Sequence, residues 1–268
     1  MEQTFGFIGT GNMGGALARA AVQTLPKQAV YLANRTAAKA QALAEALGCQ
    51  TADSGWIAAN CTYVFLGVKP QMMADLLLQL RPALEGRKDE FVLVSMAAGL
   101  TIARLQEMAG GKYPVIRIMP NTPVAVGSGV ILYDTSENVT AEQKQAFCAG
   151  MAAAGLLDPL PEKLMDAGSA VAGCGPAYAA MFLEALADGG VACGLPRDKA
   201  LEYAAQMLLG TAKLALQTGM HPGQLKDGVC SPGGATIAGV DALERGAFRS
   251  SAMQAVQAAY RRTLELGK

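Results

Sequence analysis

The sequence predicts an α/β fold in which a doubly wound, mainly parallel sheet is followed by an all-α domain. Three observations support this prediction. An apolar run at residues 5–8 leads into glycines spaced G-x-G-x-x-G and then into a helical stretch. Strand and helix patterns alternate as far as residue 160, which is typical of a parallel sheet with crossover helices. Strand patterns then stop, and we predict domains at residues 1–161 and 162–268.

The glycine turn follows the first strand directly. Gly9 permits a tight turn, Gly11 lets backbone amides approach a pyrophosphate, and Gly14 allows close helix–strand packing. The phosphates would then bind unpaired N–H groups at the positive end of a helix dipole. Glycine triplets also arise by chance in a chain with 31 glycines, so a merely structural turn is the alternative. The strand–turn–helix context favours a Rossmann-type dinucleotide site, with cofactor contacts from Gly9, Thr10, Gly11, Asn12 and Met13.

The second strand, residues 29–33, follows a helix over residues 13–24 and ends in Asn34-Arg35-Thr36. An NAD site usually has a carboxylate here, about 20 residues past the glycines, for the ribose 2′-hydroxyl. A carboxylate would repel a 2′-phosphate, whereas Arg35 can bind one through charge-assisted hydrogen bonds. A solvated surface arginine is the alternative. We predict that Asn34 and Arg35 contact the cofactor and that NADPH is preferred, with NADH also usable.

Two later strands end at the same predicted edge, where open α/β sheets bind their ligands. A helix over residues 37–47 and a short segment at 56–60 precede the strand at 62–67, which ends in Val68, Lys69 and Pro70. Pro70 suits a first helical turn, and Lys69 either contacts the cofactor or is solvated. The strand at 91–95 leads to Ala97 and Ala98, small residues that let the nicotinamide ribose come close. Thr101 is expected to cap the next helix.

The first domain closes with one more strand series. The strand at 115–119 leads to the stiff turn Pro120-Asn121-Thr122-Pro123, again on the ligand-binding edge. A strand at 130–133, a helix at 141–153 and a strand at 156–160 complete the sheet. Pro161-Glu162 marks the predicted domain boundary.

The helical domain is unusually apolar. A helix at residues 176–190 carries apolar groups on nearly every face, and such a helix is normally buried on every face. The whole chain is 51% hydrophobic and only 16% charged, against about 25% charged in ordinary domains. So small a domain cannot cover this helix alone, which predicts a homo-oligomer in which a second copy supplies the cover. Further helices are predicted at 197–218, 237–245 and 249–266.

Between two of these helices lies an unusual loop at residues 219–236. Its last part, Ser231-Pro232-Gly233-Gly234-Ala235-Thr236, opens a helix with small residues and free amides. This predicts an anion cradle sized for a carboxylate, with a plain N-capped turn as the alternative. His221, the only histidine, lies in the same loop and is interpreted as solvated.

Composition argues against several partners and compartments. The net charge is zero and no cluster of Lys and Arg stands out, so neither nucleic acid nor a membrane surface is expected as a partner. The uncharged stretch around residues 168–183 is interpreted as too short to span a bilayer. A strand beginning at Phe5 leaves no room for a signal peptide. The six cysteines occur singly, which favours reduced thiols in the cytoplasm over a disulfide frame or a metal site.

The residues also limit the chemistry. No Ser/His/Asp set, metal-ligand spacing or nucleotide-phosphate loop of the Walker type is recognisable. The turn at residues 173–178 lacks the lysine that β-hydroxyacid dehydrogenases carry in the corresponding turn. Reduction of a C=N bond requires less, because the nitrogen can be protonated on binding and hydride delivery depends mainly on positioning.

Almost the whole chain resembles the pyrroline-5-carboxylate reductases. The motifs that carry the resemblance are residues 7–14, 68–70, 117–123, 173–178 and 231–236. The resemblance implies NAD(P)H-dependent reduction of L-1-pyrroline-5-carboxylate to L-proline, the last step of proline biosynthesis. It also implies dimers with interlocked helical domains, often assembled into larger rings, and active sites completed by the partner chain.

The resemblance also assigns site residues. Ser231, Gly234, Ala235 and Thr236 would bind the substrate carboxylate and ring nitrogen, with Glu162 nearby and Thr236 the expected catalytic residue. Two positions depart from the family pattern: Cys174 stands where serine is usual, and Gly228 stands where relatives often have an asparagine that touches the cofactor. A reductase or dehydrogenase of another small imine or hydroxy acid is one alternative, and a non-catalytic NADP-binding scaffold is another.

Overall fold

The computed structural model describes residues 3–266 and forms two compact units. The second unit is residues Gly175–Ala258, and the first unit is the remainder of the chain. The two units therefore divide later in the chain than the domain boundary that we predict at Pro161-Glu162. That boundary stays a prediction.

The first unit is built on one eight-stranded sheet with the order β3-β2-β1-β4-β5-β6-β7-β8. Every neighbouring pair is parallel except β6 and β7, which are antiparallel. This confirms the mainly parallel sheet. The strands are β1 Phe5–Ile8, β2 Val30–Ala33, β3 Gln50–Thr51, β4 Tyr63–Leu66, β5 Val92–Ser95, β6 Val115–Pro120, β7 Gly129–Thr135 and β8 Gly155–Pro159.

Helices connect the strands and make up almost all of the chain after β8. The α-helices are α1 Asn12–Thr24, α2 Ala37–Leu47, α3 Ser54–Asn60, α4 Met73–Glu85, α5 Ile102–Ala109, α6 Ala141–Met151, α7 Met165–Gly168, α8 Gly175–Ala192, α9 Arg197–Thr218, α10 Pro222–Gly228, α11 Ala235–Arg245 and α12 Phe248–Leu266. A π-helical turn, Ser169–Gly173, lies between α7 and α8. Thr101 caps α5 through a hydrogen bond from the Arg104 amide, as the sequence predicts.

One stretch that the sequence marks as a loop contains a helix. Within residues 219–236, α10 begins at Pro222, whose fixed φ suits the first helical position. Its N-terminus is held by a capping box, in which His221 Nδ1 accepts from the Gly223 amide and Gln224 Oε1 accepts from the His221 amide. His221 is therefore an exposed helix cap and not part of an irregular loop.

The core of the first unit is an aromatic cluster between the sheet and the helices. The rings of Phe7 and Phe65, on neighbouring strands, stack with centroids 4.3 Å apart. Phe5 lies 4.7 Å from Tyr63 by the same measure. A methyl group at Gly150 of α6 would come within 2.4 Å of the Phe5 ring, so this glycine lets α6 pack closely on the sheet. These contacts fix the central strands as one rigid layer.

Strand register aligns the carboxyl ends of four parallel strands. Ile8, the last residue of β1, is paired with Ala33 of β2 and with Leu66 of β4. Leu66 is paired in turn with Ser95 of β5. Every predicted cofactor residue follows one of these strand ends. The register therefore brings the predicted cofactor residues to a single edge of the sheet.

The second unit has little interior of its own. Within residues 175–258, the buried hydrophobic side chains are those of Ala187, Ala200 and Ala204. Large apolar side chains are exposed, with Met181 at 69% and Leu216 at 85%. This small alanine interior cannot stabilise the helices by itself.

Length and composition make one helical run compatible with a membrane span. Helical residues run from Glu162 to Ala192, and 11% of the most apolar window is buried. The expectation that this region is too short to span a bilayer is therefore wrong on length. Gly173 to Pro176 do not end the helical run, because Pro176 lies in the first turn of α8, where its missing N–H costs nothing.

Candidate active site

The glycine turn after β1 has the tight geometry that the motif predicts. Gly9 has a φ of +100°, which favours glycine, and its amide donates to the Ala33 carbonyl at 2.8 Å. A methyl group at Gly9 would come within 2.5 Å of the Gly67 carbonyl oxygen. One at Gly14 would come within 2.1 Å of the Gly9 carbonyl oxygen. Sequence reasoning gave no role to Gly67, although a glycine just after a buried strand was a usable signal.

Next to this turn lies space for a ligand. A methyl group at Gly11 would meet no atom within 4 Å, and the N-terminus of α1 has no side-chain cap. The Thr10 hydroxyl is buried and has no hydrogen-bond partner in the described part of the chain. Asn12 is exposed and Met13 half-buried at the start of α1. The residues present therefore fit a dinucleotide: open backbone amides for a pyrophosphate and one orphaned hydroxyl.

The loop after β2 is bound to the glycine turn through Asn34. Its Oδ1 accepts from the Thr10 amide at 3.3 Å, and its Nδ2 donates to the Thr36 carbonyl at 3.2 Å. These bonds fix the loop that carries Arg35. Arg35 itself is exposed and, within residues 3–266, has no ion-pair partner.

The loops after β4 and β5 reach the same edge. Val68 and Pro70 are half-buried, and Lys69 is exposed immediately before a 3₁₀ turn that begins at Pro70. Ala97 is buried, and its amide donates to Ser95 Oγ, whereas Ala98 is exposed. Ser95 was not among the predicted site residues. Its buried hydroxyl fixes the start of the loop that presents Ala98.

Glu162 lies in a network inside the first unit. Its Oε1 accepts from the Ile102 amide at 2.8 Å and from Arg117 Nη1 at 3.1 Å. Its own amide donates to Asp134 Oδ2 at 2.6 Å. The carboxylate therefore joins the start of α5 to β6. The predicted substrate contact of Glu162 remains a prediction, and the structure gives this carboxylate other partners.

Arg117 is the centre of that network and was missed as a functional residue. It is 3% exposed on β6, and its Nη2 also lies 3.4 Å from Asp166 Oδ1. Asp134 is its register partner on β7. Its Nε has no hydrogen-bond partner in the described chain. An arginine within an apolar strand was the available signal, because a buried cation requires nearby carboxylates.

Asn121 follows β6 and connects the ligand-binding edge to the π-helical turn. Its Oδ1 accepts from the Val130 amide at 2.9 Å, and its Nδ2 donates to the Ala172 carbonyl at 3.0 Å. The residue is 7% exposed. π-Helical turns are rare and often occur at functional sites. Asn121 therefore fixes the segment that precedes Cys174, which is half-buried.

The predicted carboxylate cradle belongs to the second unit. The Gly234 amide donates to the Ser231 carbonyl at 3.0 Å, and Gly234 caps α11 without a side-chain bond. A methyl group at Gly234 would come within 2.3 Å of Ser231 Oγ. The amides of Ala235 and Thr236 make no hydrogen bond in the described chain. These free amides and the open helix N-terminus can accept an anion.

The remaining positions of interest in the second unit are open to solvent. Thr236 is exposed, and its hydroxyl makes no hydrogen bond within residues 3–266. A methyl group at Gly228 would meet no atom within 4 Å, so a side chain fits there. Across residues 3–266, no cluster of three or more His, Cys, Asp or Glu residues could hold a metal ion.

Two family models match the chain. A model of "pyrroline-5-carboxylate reductase dimerisation" matches residues 162–266. A model of "NADP oxidoreductase coenzyme F420-dependent" matches residues 4–99, which include the glycine turn. Pyrroline-5-carboxylate reductase of Pisum sativum is 43% identical over 267 residues, covering 98% of this chain and 96% of the relative. This chain belongs to the pyrroline-5-carboxylate reductase family.

Other members of the family agree over their full length. Pyrroline-5-carboxylate reductase of Escherichia coli is 37% identical over 100% of both chains. The structure of a pyrroline-5-carboxylate reductase from Coxiella burnetii superposes with a TM-score of 0.91 at 31% identity over 100% of both chains. The Plasmodium falciparum enzyme with NADP bound gives 0.86 at 30% identity, over 99% of this chain and 98% of the other. The predicted family, fold class and reductase activity are confirmed.

Proposed function

We propose that this chain reduces L-1-pyrroline-5-carboxylate to L-proline with NADPH. The single observation that carries the proposal is full-length membership of the reductase family, with 43% identity to the Pisum sativum enzyme. The glycine turn and the orphaned Thr10 hydroxyl support a cofactor site, and the Ser231–Thr236 cradle supports an anion site, as this reaction would require.

The first unit binds and orients the cofactor. The backbone amides around Gly11 and the N-terminus of α1 hold the pyrophosphate, and Arg35 binds the 2′-phosphate. Val68, Lys69 and Pro70 flank the adenosine side, and Ala97 and Ala98 leave room for the nicotinamide ribose. When bound, the cofactor supplies the hydride.

The second unit binds the substrate. The free amides of Ala235 and Thr236, together with Ser231 and Gly234, hold the carboxylate. The Thr236 hydroxyl then hydrogen-bonds the ring nitrogen, orients it, and relays the proton that the nitrogen gains as it becomes an amine. No general base is needed, because the reaction reduces a C=N bond. Glu162 is also proposed to lie near the substrate. Its hydrogen bonds within the Arg117 network do not favour a direct substrate contact.

We propose that the working form is a homodimer, assembled further into a ring of dimers, in the cytoplasm. The dimerisation model covers residues 162–266, where large apolar side chains are exposed in the single chain. A partner chain would cover the apolar run at residues 162–192. We therefore propose that this run lies in a protein interface and does not span a membrane. A second chain would also complete each active site. We propose no nucleic-acid partner, because the net charge is zero.

An assay of NADPH oxidation with L-1-pyrroline-5-carboxylate tests the function directly. The expected result is proline formation in step with NADPH loss, with slower turnover on NADH. A panel of other cyclic imines and 2-hydroxy acids should be turned over far more slowly. Cofactor binding without turnover of pyrroline-5-carboxylate would contradict the proposal.

A further inference from the structure

The turn after β6 is built around the amide of Asn121, which no step of the proposed reaction uses. Asn121 is buried, and both ends of its side-chain amide are bonded: Oδ1 accepts from the Val130 amide at 2.9 Å, and Nδ2 donates to the Ala172 carbonyl at 3.0 Å. The Asn121 carbonyl also accepts from the Val124 amide at 3.2 Å. One residue therefore joins β7, its own turn and the π-helical turn.

The turn that Asn121 opens also packs against the proposed cofactor loop. Ala125, four residues after Asn121, lines one cavity together with Gly11 and Asn12 of the glycine turn. Val124 is buried in the same core as the apolar face of α1. The turn is therefore anchored to the helix whose N-terminus is proposed to bind the pyrophosphate, and Asn121 has a fixed place relative to that loop.

Strand register places Asn121 on the proposed nicotinamide side of the edge. β5 and β6 are parallel neighbours, with Ser95 paired to Arg117, so the loops that follow them lie next to each other. Ala97 and Ala98, which are proposed to leave room for the nicotinamide ribose, follow β5, and Asn121 follows β6. The π-helical turn bonded to Asn121 is therefore attached to the edge at the point where hydride would be delivered.

The carbonyl that Asn121 binds lacks its ordinary helical donor. In an α-helix the Ala172 carbonyl would accept from the amide four residues later, but that residue is Pro176, which has no N–H. The backbone here is π-helical instead, with the Cys174 amide donating to the Ser169 carbonyl at 3.0 Å. Asn121 supplies the missing donor, so the position of the π-helical turn depends on a side chain at the ligand-binding edge.

We infer that Asn121 is a positioning residue for hydride transfer, because it fixes the π-helical turn as a rigid wall beside the nicotinamide side of the cofactor site. This inference rests on the proposed reduction of pyrroline-5-carboxylate by NADPH. Each end of the Asn121 amide already has a partner within the protein, so the residue acts through the segment that it holds. Its loss should therefore lower kcat and leave cofactor affinity unchanged.

Asn121→Asp tests the bond to Ala172, since it keeps the side-chain shape but replaces the Nδ2 donor by an acceptor. At about pH 8 the carboxylate should repel the Ala172 carbonyl and lower kcat for pyrroline-5-carboxylate about ten- to fiftyfold, because a displaced wall misplaces the reactants. The KM for NADPH should change less than about twofold. Burial raises the pKa of the introduced carboxyl, and its neutral form can donate again. The kcat relative to the wild type should therefore rise about three- to fivefold from about pH 8 to about pH 6.

Asn121→Ala separates positioning from loss of folding. It removes both side-chain bonds without introducing a charge, so kcat should fall about ten- to fiftyfold at both pH values, with no recovery at the lower one. Circular dichroism gives the thermal midpoint of each variant, and kcat is measured well below the lowest midpoint. A lower kcat in folded protein then reports the site and not the folded fraction.

Asn138→Asp is the matched control. Asn138 Nδ2 also donates to a backbone carbonyl, that of Lys112, at 2.8 Å, and its Oδ1 accepts from Ser136 Oγ at 2.6 Å. Asn138 follows β7, which is antiparallel to β6, so it lies at the opposite edge of the sheet from Asn121. The same chemical exchange should change kcat less than about twofold there, at both pH values.

Three outcomes would overturn the inference. Normal kcat in both folded Asn121 variants would show that the residue has only a structural role. A raised KM for NADPH with unchanged kcat would make it a cofactor residue, and an equal loss in Asn138→Asp would make the effect independent of place. In all three cases turnover by the wild type leaves the proposed function intact, whereas a wild type that does not reduce pyrroline-5-carboxylate with NADPH rejects that function and the inference with it.

Discussion

The two units differ in how many large apolar side chains they bury within a single chain. The first unit buries large side chains such as Phe7, Phe65 and Leu17 within a single chain. The second unit buries three alanines and leaves Met181 and many other large apolar side chains exposed. Burying one large apolar side chain contributes about 1.5–3 kcal/mol, so the first unit holds a stable core and the second does not.

This difference matches a division of labour. The first unit carries the proposed cofactor site at one edge of its own sheet. The second unit carries the proposed substrate cradle on helices that need a partner chain. We therefore expect folding of the second unit and completion of the active site to be coupled, and the following predictions test this expectation.

The largest effect is expected at Met181. We expect Met181→Asp to abolish dimerisation and activity and to give insoluble protein, because the charge would enter a shared apolar interface. Leu78→Asp is the matched control, since Leu78 is similarly exposed, at 60%, on α4 of the first unit. Light scattering and circular dichroism check both variants. If both variants are equally soluble, monomeric and active, the second unit does not need a partner chain to cover its apolar surface.

Thr236 tests whether the second unit carries the chemistry. We expect Thr236→Ala to lower kcat/KM for pyrroline-5-carboxylate about ten- to a hundredfold, because one positioned hydrogen bond is lost. NADPH affinity and oligomeric mass should not change, and Thr236→Ser should recover much of the rate. Unchanged steady-state kinetics in the alanine variant would show that Thr236 has no catalytic role and is only part of the first turn of α11.

Glu162 tests whether a predicted substrate residue is instead structural. We expect Glu162→Gln to cost about 2 kcal/mol of unfolding free energy, because buried Arg117 loses one of its charged partners. KM for pyrroline-5-carboxylate should change less than twofold. Glu107→Gln, which removes the partner of exposed Arg104, should cost about 0.5 kcal/mol or less. A raised KM with unchanged urea unfolding would restore the substrate role.

Arg35 is the counterpart test in the first unit. We expect Arg35→Ala to reduce kcat/KM for NADPH about tenfold, or about 1.4 kcal/mol, and to leave NADH nearly unchanged. The KM for pyrroline-5-carboxylate should stay the same. Steady-state kinetics with both cofactors measure this. Equal losses with NADPH and NADH would mean that Arg35 supports the loop and does not read the phosphate.

The smallest effect is expected at Gly228. Its surroundings are open, so Gly228→Asn should fold normally, with unfolding free energy within about 0.5 kcal/mol of the wild type. If the added amide reaches the cofactor as the family resemblance implies, NADPH affinity should rise about two- to fivefold. Fluorescence titration with NADPH measures this. Weaker binding would show that the second unit has no room for a side chain beside the cofactor.

Local patterns were sufficient to predict most of the fold. The glycine turn, the strand Tyr63–Leu66 (predicted at residues 62–67) and the helix Arg197–Thr218 all follow from periodicity and capping residues close in sequence. The short helix α10 was missed because a Pro/Gly-rich stretch of this kind is more often irregular, and only its capping box reveals a helix.

Long-range partners were not predictable from the sequence. Arg117 meets Glu162 and Asp166 only after β6 and the start of the helical region have come together in the fold. The close approach of Gly9 and Gly67 likewise joins two loops far apart in sequence. Predicted roles for Ser231, Thr236 and the cofactor residues therefore come from motif chemistry and await the tests above.

The backbone contact between Gly9 and Gly67 bears on the thermodynamics of cofactor binding. The Gly9 amide is bound to Ala33, the Gly67 amide to Ile8, and the Gly15 amide to Gly11. The phosphate loop is thus held by hydrogen bonds within the protein. We therefore expect the loop to lose little conformational entropy when a nucleotide binds. The favourable enthalpy of the phosphate contacts should then contribute almost fully to the binding free energy.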